Sequence, residues 1–202
     1  MRIFTKDEDG RKFIESNFLL NAYCNGAFPM ADGPEGDVHW FSPERRGIIP
    51  LDGLKVSRSL RRTVAKRVYS LQIDSAFEAT VRSCAERDEV WISDTIIRSY
   101  LRLFQLGFAH SVESWHDGKL VGGLYGVSIG GAFFGESMFS RMSDASKVAL
   151  VYLVNHLNQR GFVLLDTQYV NAHLATLGCI EISKQEYLDR LHTALQLQCT
   201  FW

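Results

Sequence analysis

Proline is scarce and confined. The four prolines of this 202-residue chain, Pro29, Pro34, Pro43 and Pro50, all fall in one short stretch. Proline at that density argues for turns and extended chain between residues 28 and 50, and a soft domain boundary is placed there. Cysteine is equally sparse. Cys24, Cys84, Cys179 and Cys199 are scattered with no paired spacing, which argues against a zinc site or a disulfide framework and for ordinary free thiols. Charge nearly cancels at −1, so nothing draws the whole chain to nucleic acid or membrane, and a polyanion must find a local patch. No apolar run approaches bilayer length, and the first ten residues carry acids where a signal peptide is apolar. A cytoplasmic location is therefore expected. What is present is globular: 46% hydrophobic and 22% charged residues, enough chain for one medium domain, with or without a small appendage.

The periodicity predicts a helix over 11–25, with Phe13, Phe18, Leu19 and Tyr23 on one side and Gly26 as its stop. Ser57 is read as the cap of a short helix to Arg67. A strand over 68–73, a helix over 75–87 and a helix from Asp94, read as its N-cap, to Leu106 follow. The period then changes to two. Residues 110–116, 120–127 and 132–139 read as a three-stranded antiparallel meander, with Asp117-Gly118 as a strong hairpin signal. A helix over 143–160, a short buried strand over 162–165 ended by Asp166, a helix over 171–177, a strand over 179–182 and a helix over 184–191 complete the chain. This is an α+β order, and it fits an N-acetyltransferase-like (GNAT-type) fold. Residues 1–50 read as a small N-terminal domain and 51–202 as the larger, catalytic one.

Most such enzymes bind acetyl-CoA, whose pyrophosphate needs a glycine-rich turn opening the central helix. Here no glycine occurs from Glu136 to Arg160, and Ser140-Arg141-Met142-Ser143-Asp144 stands in that place. The sequence thus argues against acetyl-CoA, and no cofactor and no metal are expected. The six histidines are dispersed, and no pair has ligand spacing.

The richest stretch is Gly122-Gly123-Leu124-Tyr125-Gly126 with Phe133-Phe134-Gly135-Glu136-Ser137-Met138-Phe139-Ser140. On its own it reads as strand-rich core. Glu136 sets a carboxylate among aromatics, where an unpaired burial costs several kcal/mol, so a partner is expected: a ligand amine, or a protein Arg or Lys. Asp166 and Gln168 lie two apart and share a face on extended chain. Read alone, Asp166 more readily caps a turn. Lys55, Arg58, Arg61, Arg62, Lys66 and Arg67 place six cations in thirteen residues, either a phosphate-binding stripe or a solvated charged face.

Nine segments in collinear order closely resemble the leucyl/phenylalanyl-tRNA–protein transferases. They are Gly26-Ala27-Phe28-Pro29, Trp40-Phe41-Ser42-Pro43, Ser57-Arg58-Ser59-Leu60, Ala109-His110-Ser111-Val112-Glu113, Leu120 to Gly126, Phe134 to Arg141, Ala145-Ser146-Lys147, Asp166-Thr167-Gln168 and Leu177-Gly178. The resemblance implies transfer of Leu, Phe or Met from aminoacyl-tRNA to the N-terminal Lys or Arg of a protein, which marks that protein for N-end rule degradation. It implies Asp166, Gln168 and Glu136 as catalytic residues. It implies Leu124, Phe133, Met138, Leu150, Leu153 and Leu165 as the aminoacyl side-chain pocket, with Ser140 at the rim. It implies a tRNA stripe of Arg58, Arg61, Arg62, Lys66 and Arg67. Two departures stand out: the segment ahead of the first helix is short, and Met30 occupies the place of an aromatic that helps hold the terminal adenosine. Trp40, Phe41 and Trp91 are the rings available to compensate. A related acyltransferase with another donor or acceptor, and a non-catalytic tRNA- or protein-binding module, stay open as alternatives.

The reaction so implied is aminolysis of an ester. A protein α-amino group has a pKa of ~8, so a fraction is neutral at pH 7 without a strong base. Positioning the reactants can contribute ~7–11 kcal/mol. A clamp is therefore expected rather than a triad, with the Gln168 carbonyl accepting a hydrogen bond from the amine.

Overall fold

The structure is a computed structural model and describes residues 3–86 and 91–202. Its centre is a seven-stranded mixed sheet. The meander forms β7 (Ala109–His116), β8 (Lys119–Ile129) and β9 (Ala132–Ser140), and β6 (Ser70–Ile73) pairs on its outer side. From β9 the chain enters α5 (Ala145–Gln159) and returns in β10 (Leu164–Gln168), parallel to β9. An antiparallel meander, a crossover helix and a parallel return strand are the arrangement expected of an acetyltransferase-like core. Next to β10 lies β5 (Arg45–Ile48), and β11 (Ile180–Ser183) forms the far edge.

Alternating side chains give the sheet two buried faces. Tyr125, Phe134 and Leu164 face α1 (Ser16–Cys24), α3 (Phe77–Ala85), α4 (Asp94–Gln105) and α7 (Lys184–Leu195). Leu124, Phe133 and Leu165 face α5 and α2 (Arg58–Ala65). α5 can lie close because β8 offers Gly122, where an added Cβ would meet Ala145 at 2.5 Å.

Several expectations are corrected. Residues 11–14 are not helical: β2 (Lys12–Ile14) pairs with β1 (Phe4–Lys6), and Ile14 N–H donates to the Ser99 hydroxyl. The helix starts only at Ser16, where the Glu15 side chain accepts from Phe18 N–H. The proline-rich stretch holds three strands: β3 (Phe28–Ala31) with β4 (Val38–Phe41), and β5. β5 lies inside the main sheet, between β11 and β10. Ser93, not Asp94, caps α4, its side chain accepting from Ile96 N–H. Ser57 caps α2 as expected. The expected end of the 75–87 helix at Arg87 lies outside the described residues. β10 runs past Asp166 to Gln168, because β5 pairs with it there.

Candidate active site

Pairing between β9 and β10 stops at Phe134 and Asp166. Beyond that point the two strands part, and the parting makes the site. On β9 a bulge begins at Gly135: Gly126 faces Gly135 and Tyr125 faces Ser137, so Glu136 is an extra residue with no partner on β8.

The bulge aims Glu136 at two tyrosines. Tyr23 of α1 donates to its Oε1 at 2.6 Å, Tyr100 of α4 donates to its Oε2 at 2.7 Å, and the two hydroxyls also contact each other. Gln168 Nε2 donates to Oε1 at 2.9 Å. The protein partners of Glu136 are therefore a tyrosine pair and an amide, and not the Lys or Arg that was one of the two expected candidates. With 6% exposure, burial pushes the Glu136 carboxyl up to about 7, against the lowering by the two phenol donors. Burial also raises both tyrosines well above the usual phenol range.

Asp166 belongs to a second, deeper cluster. It is 0% exposed, and Arg46 of β5 is 1% exposed. Arg46 grips it with two parallel bonds, Nε to Oδ1 at 2.9 Å and Nη2 to Oδ2 at 2.6 Å. The Tyr187 hydroxyl donates to Oδ2 at 2.8 Å, and the guanidinium lies 4.5 Å from the ring centres of both Phe28 and Tyr187. Burial works against the Arg46 charge, but Asp166 outweighs it and the guanidinium pKa is raised. Asp166 also accepts from Gln168 N–H at 2.8 Å. That bond holds Gln168 at φ +63°, a left-handed conformation uncommon for a residue with a Cβ. Gln168 is thus fixed at both ends, by Asp166 at its backbone and by Glu136 at its amide nitrogen. Gln168 itself stands in the wall of the cleft.

The opening between β9 and β10 has two parts that share Glu136, Ser137, Met138, Thr167 and Leu174. The inner part is an apolar cavity of about 80 Å³. Of the residues named for the aminoacyl pocket, Leu124, Met138, Leu150, Leu153 and Leu165 line this cavity, together with Ile49, Thr167 and Leu174, which sequence reasoning did not name. Two expected members do not reach it. Phe133 turns to the same face as Met138, as the bulge permits, but lies over Gly126 and stacks on Phe201 at 5.4 Å. Ser140 is exposed and turns to α5, its hydroxyl accepting from Ser146 N–H and donating to Met142 C=O. At the opening turn of α5, Ser140 and Met142 thus take the amides of Ser146 and Ala145, and Asp144 pairs with Lys147 at 2.9 Å. These are the groups a pyrophosphate would need.

The outer part is a cleft of about 210 Å³ walled by Met30, Trp91, Gln168, Tyr169, Asn171 and His173. Of the residues named for the adenosine, Met30 and Trp91 stand in this wall. Trp40 is not: its ring packs edge-on against Phe18 at 5.2 Å. Phe41 lies exposed over Phe28. Arg58, Arg61, Arg62, Lys66 and Arg67 are all exposed on and after α2, and none makes an ion pair with another described residue. Among the described residues no His, Cys, Asp and Glu side chains gather to hold a metal, and no helix is long and apolar enough to cross a membrane.

The profile described as leucyl/phenylalanyl-tRNA protein transferase matches residues 48–192, and that of the N-terminal domain of the same transferase matches residues 15–44. The leucyl/phenylalanyl-tRNA–protein transferase of Gloeobacter violaceus is 51% identical over 93% of this chain and 97% of its own length. That of Paramagnetospirillum magneticum is 53% identical over 90% of both. A solved GCN5-related N-acetyltransferase-like protein from Streptococcus suis overlaps 83% of this chain and 64% of its own, at 14% identity and a TM-score of 0.40. The chain belongs to the leucyl/phenylalanyl-tRNA–protein transferase family of aminoacyltransferases.

Proposed function

We propose that this protein moves Leu, Phe or Met from aminoacyl-tRNA onto the N-terminal Lys or Arg of acceptor proteins, in the cytoplasm, and so marks them for N-end rule degradation. One observation carries the reading: an apolar cavity and an amide held at both ends meet where β9 and β10 part. The aminoacyl side chain enters the cavity, and the ester carbonyl lies at the mouth beside Gln168. The acceptor nitrogen bonds to the ester carbon, the bond from carbon to the ribose oxygen breaks, and the amine proton ends on that oxygen. Gln168 accepts a hydrogen bond from the amine. Glu136 and Asp166 act on Gln168 rather than on the substrate, since their oxygens are already taken. The domain division is best drawn ahead of β5, because Arg46 serves the site. The bare cations after Ser57 are read as the contact for the tRNA acceptor stem.

The test is a transfer assay with tRNAs charged with Leu, Phe, Met and Ala and peptides beginning with Lys, Arg or Ser. Transfer is expected from the first three donors to Lys or Arg peptides. A pattern favouring Ala or Ser overturns the specificity.

Met138 lines both cavity and cleft. Met138→Ala should raise the ratio of Phe to Leu transfer, since a wider cavity withdraws contacts from Leu worth ~1–3 kcal/mol. An unchanged ratio with both rates lowered equally would make Met138 plain core.

A further inference from the structure

We infer that Tyr169 is a stacking residue for the terminal nucleobase of the donor, taking the place that Met30 leaves without a ring. This rests on the function proposed above. Tyr169 follows Gln168 directly and stands in the cleft wall with Met30 and Trp91, 44% exposed. Two contacts fix it. Its backbone nests against Gly47 of β5, where an added Cβ would meet the Tyr169 carbonyl carbon at 2.8 Å. Its ring meets the edge of Phe28 at 5.7 Å and 82°. Phe28 and Met30 lie two apart on β3 and so share a face. The Phe28 contact therefore holds the Tyr169 ring on the side of β3 that carries Met30, and the residue stays 44% exposed in the cleft wall. An aromatic ring already held in place stacks a base with little further loss of side-chain entropy.

The chemistry of the wall favours a base over a cationic acceptor side chain. Glu136 and Asp166 are the carboxylates at this end of the cleft, and both are buried and occupied by donors. Asp166 is already paired with Arg46, and a cation reaching Glu136 would have to displace Tyr23, Tyr100 or Gln168 from its oxygens, whereas a neutral base displaces none of them. Position agrees. With the ester at Gln168 and the side chain inward, the ribose and its base must leave through the outer cleft, past Trp91, Met30 and Tyr169.

The experiment compares leucyl esters of adenosine and of ribose lacking a base as donors, each with an Arg-ended peptide, for the wild type, Tyr169→Ala and Tyr169→Phe. The wild type should prefer the adenosine ester. Tyr169→Ala should raise the KM for that ester about tenfold, leave the KM of the ribose ester and of the peptide unchanged, and so shrink the preference. Tyr169→Phe should behave as the wild type. A Tyr169→Ala enzyme that keeps the wild-type KM for the adenosine ester overturns the inference, as does one whose peptide KM alone rises, which would make Tyr169 an acceptor contact. A wild-type enzyme that transfers from neither ester nor from Leu-tRNA overturns the function itself.

Discussion

Replacing Arg46 with methionine is expected to lower the free energy of unfolding by about 3–5 kcal/mol, because it leaves a buried carboxylate without its cation. The pair is made from distant parts of the chain, β5 and β10, and each oxygen of Asp166 receives one guanidinium nitrogen. Tyr187 and the Gln168 amide would remain as donors, but neither carries charge. A second variant separates the pair from its unpaired half. Combining Arg46→Met with Asp166→Leu removes both charges, and buried ion pairs replaced by apolar residues are often neutral in stability. Urea denaturation of the wild type, the single and the double variant is the measurement. The double variant should recover most of the loss in stability while remaining inactive. A single variant within about 0.5 kcal/mol of the wild type would show that the guanidinium is dispensable, since surface substitutions stay within about that range.

Gln168→Ala is expected to lower the single-turnover rate by roughly 10²–10³-fold, the scale for removing a group that orients or accepts a reacting proton. Donor affinity should change little, since the cavity and the cleft walls remain. The two supports of Gln168 then predict a pH dependence. Above about 7 Glu136 is ionised and acts only as an acceptor, which keeps the Gln168 nitrogen on its carboxylate and leaves the amide oxygen for the amine, as proposed above. Below that pH its proton can be donated to the amide oxygen, turning the amide round. Turnover should therefore rise with pH through about 7. Glu136→Gln should lack that inflection, and only the acceptor amine's own titration near ~8 should remain. The raised pKa also has a stability consequence. The folded state favours the protonated carboxyl, so the stability this group contributes is full below the unfolded value of ~4.3 and is lost as pH rises through the folded value. A rate within threefold of the wild type for a folded Gln168→Ala enzyme would remove the clamp from the account.

The elements with strong local signals were legible. Asp117-Gly118 turns the β7–β8 hairpin, Ser57 caps α2, and the change from a period of 3.6 to 2 marks where the helices give way to the meander. The expected N-terminal helix is too long because it groups Phe13 with Phe18, Leu19 and Tyr23, while residues 12–14 are held as a strand by β1 and by Ser99, eighty-five positions from Ile14. The inner-cavity leucines Leu124, Leu150, Leu153 and Leu165 carry no local mark that separates them from core, and the family resemblance alone points to them. Phe133 was not separable from them, because its neighbour Phe201 comes from the far end of the chain. The missed residues are of one kind. Tyr23, Arg46, Tyr100 and Tyr187 come from four separate segments, and each is locally an ordinary residue on a helix or strand. What makes them part of the site is burial around two carboxylates, which no local pattern encodes. The only available signal was indirect: a carboxylate placed in an apolar run requires partners, and their identity depends on which elements the topology brings to that face.

The central claim is that the donor's aminoacyl group lies between β9 and β10, with its side chain in the apolar cavity and its carbonyl beside Gln168. A crystal structure with a non-hydrolysable amide analogue of leucyl-adenosine tests this most directly. The leucyl side chain should be found among Leu124, Leu150, Leu153 and Leu165, with the Gln168 amide nitrogen still on Glu136 and its oxygen toward the analogue. An analogue bound elsewhere, with this cavity closed or empty, would contradict the account.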